Sequence, residues 1–193
     1  MYAPQTSSTT FSIGSRDGVL LMTSLTTAPR LEPPTVAVRD SYLAGEYADM
    51  VHRGSDTTWL TAAREDFDGF VNDRLGIRER WGVPSEVFWF IAGENYVGSL
   101  VLRHQLPEDD LGGHIGYHVV RPWQMQGHAT AMLGHGLVQA REVGLARVLL
   151  TVAAENAASL AVVAHNNGVP DGVNSDGQLR FWIDAPDERT EMH

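Results

Sequence analysis

The stretch Tyr117-His-Val-Val-Arg-Pro-Trp-Gln124-Met-Gln-Gly127-His-Ala129-Thr130 decides the reading of this chain. At its start, Ile115, Tyr117 and Val119 alternate with His114, Gly116 and His118, the two-residue period of a strand over 114–120. At its end, Ala129, Met132, Leu133, Leu137 and Ala140 make the stripe of an amphipathic helix over 127–143, with Gly144 placed to cap it. Arg121-Pro122 stops the strand, so the chain passes through a short turn into the first turn of a helix. The first N–H groups of a helix lack internal partners and sit at the positive end of its dipole, so such a turn can hold a phosphate or pyrophosphate. Gly127 and Ala129 are small where a ligand would approach, and Gly127 tolerates the backbone angles of a tight turn. A small-residue helix start serves close packing on a sheet equally well, and the anatomy alone leaves both uses open.

Working outward, Val148 to Val152 follows the helix at once, and the strand, helix and strand are expected to form a right-handed crossover with parallel strands. Upstream, Val87 to Ala92 and Tyr96 to Leu102 flank Gly93-Glu94-Asn95 and read as a hairpin. Helical spacing predicts helices over 36–52 and 57–81. Asn156 starts a further helix that ends near Asn166-Asn167-Gly168, and Leu179 to Ile183 can close the sheet. Residues 1–34, rich in Ser, Thr, Gly and Pro, read as a flexible tail, 35–184 as one α/β domain, and 185–193 as a polar tail.

Composition removes whole classes of function. The 193 residues suit one domain, and no apolar run approaches a membrane span. The start of the chain lacks a secretion signal, and a cytoplasmic protein is expected. Cysteine is absent, which excludes disulfides, thiolate nucleophiles and Cys-ligated zinc. All 14 basic residues are arginine, so neither Schiff-base chemistry nor a Walker-type phosphate loop is available. A formal charge of -10 disfavours nucleic acid and favours a cationic amine.

Gln124, Gly127 and Ala129 fill the pattern R/Q-x-x-G-x-G/A, and the chain resembles the GNAT superfamily of N-acetyltransferases, as a bacterial-type single-domain member. Phe88-Trp-Phe-Ile, Gly98, Leu102-Arg-His, Gly112-Gly-His-Ile-Gly-Tyr-His, Leu149-Leu-Thr, Glu155-Asn156, Ser159, Asn166-Asn-Gly168 and Arg180-Phe-Trp-Ile183 extend the likeness over residues 31–184. The resemblance implies a mixed central sheet flanked by helices, with acyl-CoA in a cleft at a splayed motif strand. It further implies acetyl-CoA as cosubstrate, with pantetheine on the backbone of Val119 and Val120. The pyrophosphate would lie on the loop Gln124, Met125, Gln126, Gly127, His128, Ala129 and Thr130. Asn156 matches an asparagine that contacts the pantetheine or a water, and is equally read as a helix N-cap; Ser159 follows it in the same turn.

The implied reaction is direct attack of a primary amine, from a small molecule or a peptide, on the acetyl carbonyl, without a covalent enzyme intermediate. A non-catalytic acyl-CoA-binding domain is the alternative. Candidate bases are His114 and His118 on the motif strand and Glu155 after the next one; each histidine is also read as a satisfied polar side chain. Many relatives place a tyrosine seven residues after the asparagine, where Val163 stands here, so no general acid is assigned. No metal site is expected: His114 and His118 have no clear third ligand. His128 and His135 are expected to face solvent. Acidic residues between 40 and 110, including Glu46 and Asp49, read as ordinary surface charge. An open sheet edge and the apolar Phe181-Trp182-Ile183 could support a homodimer.

Overall fold

A computed structural model describes residues 25–186. The chain forms β1 (Arg30–Glu32), α1 (Arg39–Arg53), α2 (Leu60–Glu65), α3 (Phe67–Asn72), β2 (Arg78–Arg80), β3 (Val83–Ala92), β4 (Asn95–Arg103), β5 (Ile115–Val119), α4 (His128–Glu142), β6 (Arg147–Val152), α5 (Ala157–His165), β7 (Val169–Val173) and β8 (Leu179–Asp184). The strands form two antiparallel sheets, β1-β3-β4-β5 with β2 also on β3, and β6-β8-β7.

Local chemistry explains most element ends. α1 stops at Gly54, whose φ of 65° is the left-handed turn that glycine adopts without penalty. α4 ends with the Leu145 N–H on the Ala140 carbonyl (2.9 Å) and Gly144 at φ 89°, as its glycine led us to expect. The single helix expected over 57–81 is instead broken. Asp66 leaves the helical region and accepts the Gly69 N–H at 2.9 Å, capping α3, and β2 then pairs with β3 across Trp81-Gly82.

The β3–β4 hairpin carries the core on both faces. On one, Leu100 packs so closely on α4 that a Cβ on Gly136 would come within 2.5 Å of it, and a Cβ on Gly98 would meet the His118 carbonyl at 2.1 Å. On the other, α1 and α3 bring Tyr42, Phe67 and Phe70 against Trp89 and Tyr96, with Tyr42 stacked on Trp89 at 4.6 Å. A fully buried side chain such as Leu100 contributes about 1.5–3 kcal/mol.

Three expectations need correction. β5 and β6 share no ladder, so the crossover does not build one parallel sheet. Their backbones are joined at the start of β5, where the His114 N–H reaches the Leu149 carbonyl at 2.7 Å. The tail boundary at 34 is too late: Arg30–Glu32 pairs with Trp89–Ile91, and Leu31 rests on the core. Residues 1–24 and 187–193 lie outside those described, but Ala185 is buried and its N–H binds the Ala146 carbonyl (3.0 Å), so the domain continues past 184. Phe181-Trp182-Ile183 sits in β8, which is paired on both edges by β6 and β7.

A chain beginning at Ala28 should unfold cooperatively, whereas one beginning at Pro33 loses β1 and the Leu31 contact. The second should melt lower than the first by several degrees, at about 2–4 °C per kcal/mol for a domain of this size. Equal melting temperatures would show β1 to be dispensable.

Candidate active site

The motif turn has the geometry of an anion cradle. A 3-10 turn at Arg121–Trp123 leads through Met125 (φ 61°) and Gly127 (φ 81°) into α4. The first helical hydrogen bond runs from the Ala131 N–H to the Gly127 carbonyl at 3.2 Å, which leaves the N–H groups of His128, Ala129 and Thr130 without partners in the helix. Nothing lies within 4 Å of a Cβ built on Gly127, so the space before the helix is open. Gln124 holds the turn from behind: its Nε2 donates to the Val119 carbonyl (2.8 Å) and to Asp49 (3.2 Å). Gln126 Nε2 donates to the Pro122 carbonyl at 3.3 Å.

β5 presents a free edge to this turn. The His114 carbonyl accepts from Arg103 and the Val120 N–H donates to Val97, so residues 114 and 120 direct these groups at β4. Alternation along an antiparallel strand therefore turns the backbone groups of Tyr117 and Val119 towards β6, which offers them no ladder. Val120 does not share this edge, a correction to the expectation, because its carbonyl is also engaged, by the Trp123 N–H at 2.9 Å. The parting of β5 from β6 begins at Gly113, where a Cβ would stand 2.2 Å from the Leu149 carbonyl.

The two strand histidines have different surroundings. His114 is 5% exposed, and its Nδ1 accepts the Leu149 N–H at 2.9 Å. Its lone pair is thus committed to the backbone, and burial holds its pKa below the ordinary histidine value. His114 is a structural plug between β5 and β6 and not an available base. His118 stands on the α1 face, where Arg53 donates to its Nδ1 at 3.1 Å. A guanidinium can only donate, so the His118 proton sits on Nε2, 3.7 Å from both Glu46 and Asp49.

Those two carboxylates are not surface charge. Glu46 and Asp49 are 7% and 3% exposed, held by the Tyr96 hydroxyl on Glu46 (2.7 Å) and Arg53 Nε on Asp49 (2.8 Å). Burial raises the Glu46 pKa, opposed in part by His118, the Tyr96 hydrogen bond and Arg53. One apolar helix turn in the sequence gave no sign that α1 would aim this pair at β5.

On the opposite face of β5, the Tyr117 hydroxyl is buried beside Ser159, and burial raises its pKa, opposed in part by the Ser159 side chain. Asn156 Oδ1 accepts the Ser159 N–H at 3.0 Å and so caps α5. Glu155 is exposed in the preceding turn, and Val163, where relatives carry tyrosine, is 1% exposed. His128 does not face solvent as expected: its ring is half-buried against Trp123, centroids 6.3 Å apart, while His135 is exposed. Among the described residues no group of three ligating side chains gathers for a metal, and no helix is long and apolar enough to cross a membrane.

The buried Glu46 generates a prediction with a definite sign. A carboxyl whose folded-state pKa is raised contributes full stability at low pH and loses it as pH rises through that pKa. Glu46→Gln keeps an acceptor for Tyr96 and cannot ionise, so its melting temperature relative to the native chain should climb between pH 4 and pH 7. A difference that stays flat or falls over this range would mean that Glu46 is ionised without cost.

The family described as Acetyltransferase (GNAT) domain matches residues 30–168. No curated protein matches the chain. Among solved structures, RimJ of Mycobacterium smegmatis in complex with CoA-disulfide is 22% identical with a TM-score of 0.60, covering 82% of this chain and 86% of that one. An acetyl transferase of Salmonella typhimurium that modifies the N-terminal serine of a ribosomal protein is 14% identical, with a TM-score of 0.54 over 82% and 94%. The self-immunity acetyltransferase MccE, in complex with acetyl-CoA and AMP, is 11% identical, with a TM-score of 0.52 over 81% and 92%. At these identities the likeness is one of fold, and it covers most of each chain. With the family match spanning well over half of its length, on a motif turn and open strand edge where the fold requires them, the chain belongs to the GNAT family of acetyltransferases.

Proposed function

We propose that the protein transfers the acetyl group of acetyl-CoA to a primary amine, by direct attack and in the cytoplasm. The observation that carries this reading is the free edge of β5 running into the open N-terminus of α4. Acetyl-CoA supplies an activated thioester. The unpartnered N–H groups of His128, Ala129 and Thr130 suit its pyrophosphate, and Gly127 leaves them accessible. The backbone groups of Tyr117 and Val119 suit the amides of the pantetheine arm; the Val119 carbonyl keeps a second lone pair beside the one used by Gln124. Gln124 acts by fixing the turn. Asn156 and Ser159, at the start of α5, close the other wall.

The two faces of β5 divide the proton transfers. His118 is the base: when Arg53, whose side chain is 54% exposed, swings away, Nδ1 is open to the amine proton while Nε2–H points at Glu46 and Asp49. Tyr117, facing α5, holds the proton that the leaving thiol requires, in place of the tyrosine that Val163 replaces. Glu155 is too exposed to be tuned for either role. The thioester chemistry asks for no covalent enzyme intermediate, as a chain without cysteine allows.

Two variants at one position test the cofactor site. Both Gly127→Ala and Gly127→Glu strain the backbone at φ 81°, but only the second puts a negative charge before α4. Acetyl-CoA affinity measured by calorimetry should fall severalfold in the first and beyond detection in the second, with both proteins folded. Equal affinities in the two would remove the pyrophosphate from this turn.

Free CoA release tests the chemistry. His118→Gln should reduce turnover about a hundredfold and erase the acidic limb of the pH profile, with acetyl-CoA affinity retained. An unchanged profile would discard His118, and acetyl-CoA binding without release of CoA for any amine would select the non-catalytic reading.

A further inference from the structure

On the His118 face of the sheet, the turn after α3, the β2–β3 hairpin and β4 line a cavity of about 360 Å³. Ser99 and Val101 of β4 form its floor, and Ser99 lies directly across from His118 in the β4–β5 register. Trp81, Arg74 and Arg80 form its wall, with Asp73 the one carboxylate in the lining. In a chain with 24 acidic and 14 basic residues, this concentration of arginine is unexpected.

Four arginines lie in or near this cavity, Arg74 and Arg80 in its lining. Arg74 donates to the Phe70 carbonyl (2.9 Å), Arg78 to Asn72 (3.0 Å), Arg80 to Ser85 and Asp73 (both 3.1 Å), and Arg103 to Gly112 (3.1 Å) and Gly113 (3.2 Å). Every acceptor is a backbone carbonyl, and none of the four makes a carboxylate ion pair among the described residues. Arg103 is 8% exposed, its Nε has no partner, and its guanidinium lies 4.8 Å from the centre of the Trp81 ring. A buried cation without an anion is costly, and a ligand that brings the anion relieves the cost. Burial lowers the pKa of Arg74, Arg80 and Arg103, and for Arg80 the neighbouring Arg74 and Arg78 add to it.

Trp81 is the second anomaly. It sits at φ 53° before Gly82 at φ 75°, a turn that ordinarily takes Asn or Gly at its first position. A bulky residue there is strained, and with 61% of its surface exposed Trp81 recovers little through burial. What it gains is a flat face over Arg103 at the cavity mouth.

We propose that this cavity is the acceptor site and that it selects an acceptor carrying an anionic group, carboxylate or phosphate, close to its amine, with Trp81 as platform and Arg74 and Arg80 as counter-ions. The inference rests on the acetyltransferase reading and replaces the cationic acceptor expected from net charge alone: that charge is remote, whereas Arg74 and Arg80 line the cavity.

The probes are peptides with a free N-terminal serine followed by three glutamates, three phosphoserines, three glutamines or three lysines. Calorimetric binding to the full chain without acetyl-CoA tests the cavity independently of catalysis. The glutamate or phosphoserine peptide should bind at least tenfold more tightly than the glutamine one, and the stronger of the two identifies the anion. In Arg80→Gln this preference should shrink to threefold or less, with acetyl-CoA affinity unchanged. Trp81→Gly, which relieves the strained φ, should melt no lower than the native chain yet show a higher KM for the anionic peptide. Equal binding of all four peptides, a preference for lysine, or an undiminished preference in Arg80→Gln would overturn the proposal. Loss of acetyl-CoA binding in the native chain would instead defeat the acetyltransferase reading and leave the peptide titration to be judged by itself.

Discussion

His114 and Leu149 make the last contacts between β5 and β6, and the active site depends on where those contacts stop. The His114 N–H takes the Leu149 carbonyl, and the His114 imidazole takes the Leu149 N–H, a backbone donor that a continuing ladder would have used. Beyond that point two strands that could have joined into one sheet stay apart. A strand edge with unpaired amides is normally a hazard that proteins cover. Here it ends at the open start of α4, so backbone donors and acceptors along one line and helix N–H groups at its end face the same space.

Separation of the strands also gives β5 two chemically distinct faces. Towards α1 it carries His118, opposite the buried Glu46 and Asp49 and beside the arginine-lined cavity. Towards α4 and α5 it carries Tyr117 and its buried hydroxyl. Charge is therefore arranged locally and not as the bulk composition suggests: two acids lie buried near His118, while Arg74 and Arg80 line a cavity with Asp73 as its one carboxylate. Net charge describes the distant field, but Coulomb interactions in a partly dry cavity are decided by groups within a few ångströms.

Backbone strain gathers around the same region. Met125 holds a positive φ in the motif turn with 93% of its surface exposed, and Trp81 does so beside the cavity. Each such residue costs of order 1–3 kcal/mol. By contrast, α1 stops at Gly54, α3 and α5 begin at the capping side chains of Asp66 and Asn156, and the β3–β4 hairpin turns at Gly93, each meeting its local preference.

The sequence by itself determined the strand, turn and helix of the motif, the β3–β4 hairpin, the cap at Gly144 and the family, because each rests on interactions between residues close in the chain. Periodicity shows which face of an element is buried, and glycine or proline shows where it must stop. It could not show that β5 and β6 part, because their separation depends on a side chain intercepting an amide 35 residues away. Nor could it tell His114 from His118: both alternate onto the same strand face, and only their partners, Leu149 on one and Arg53 with two buried acids on the other, distinguish a plug from a base. Tertiary structure likewise decided that Val120 turns inward, that β8 is no edge, and that Arg74, just past α3, and Arg80 of β2 meet at one cavity. Burial and charge proximity are properties of how distant segments pack, and no local pattern encodes them.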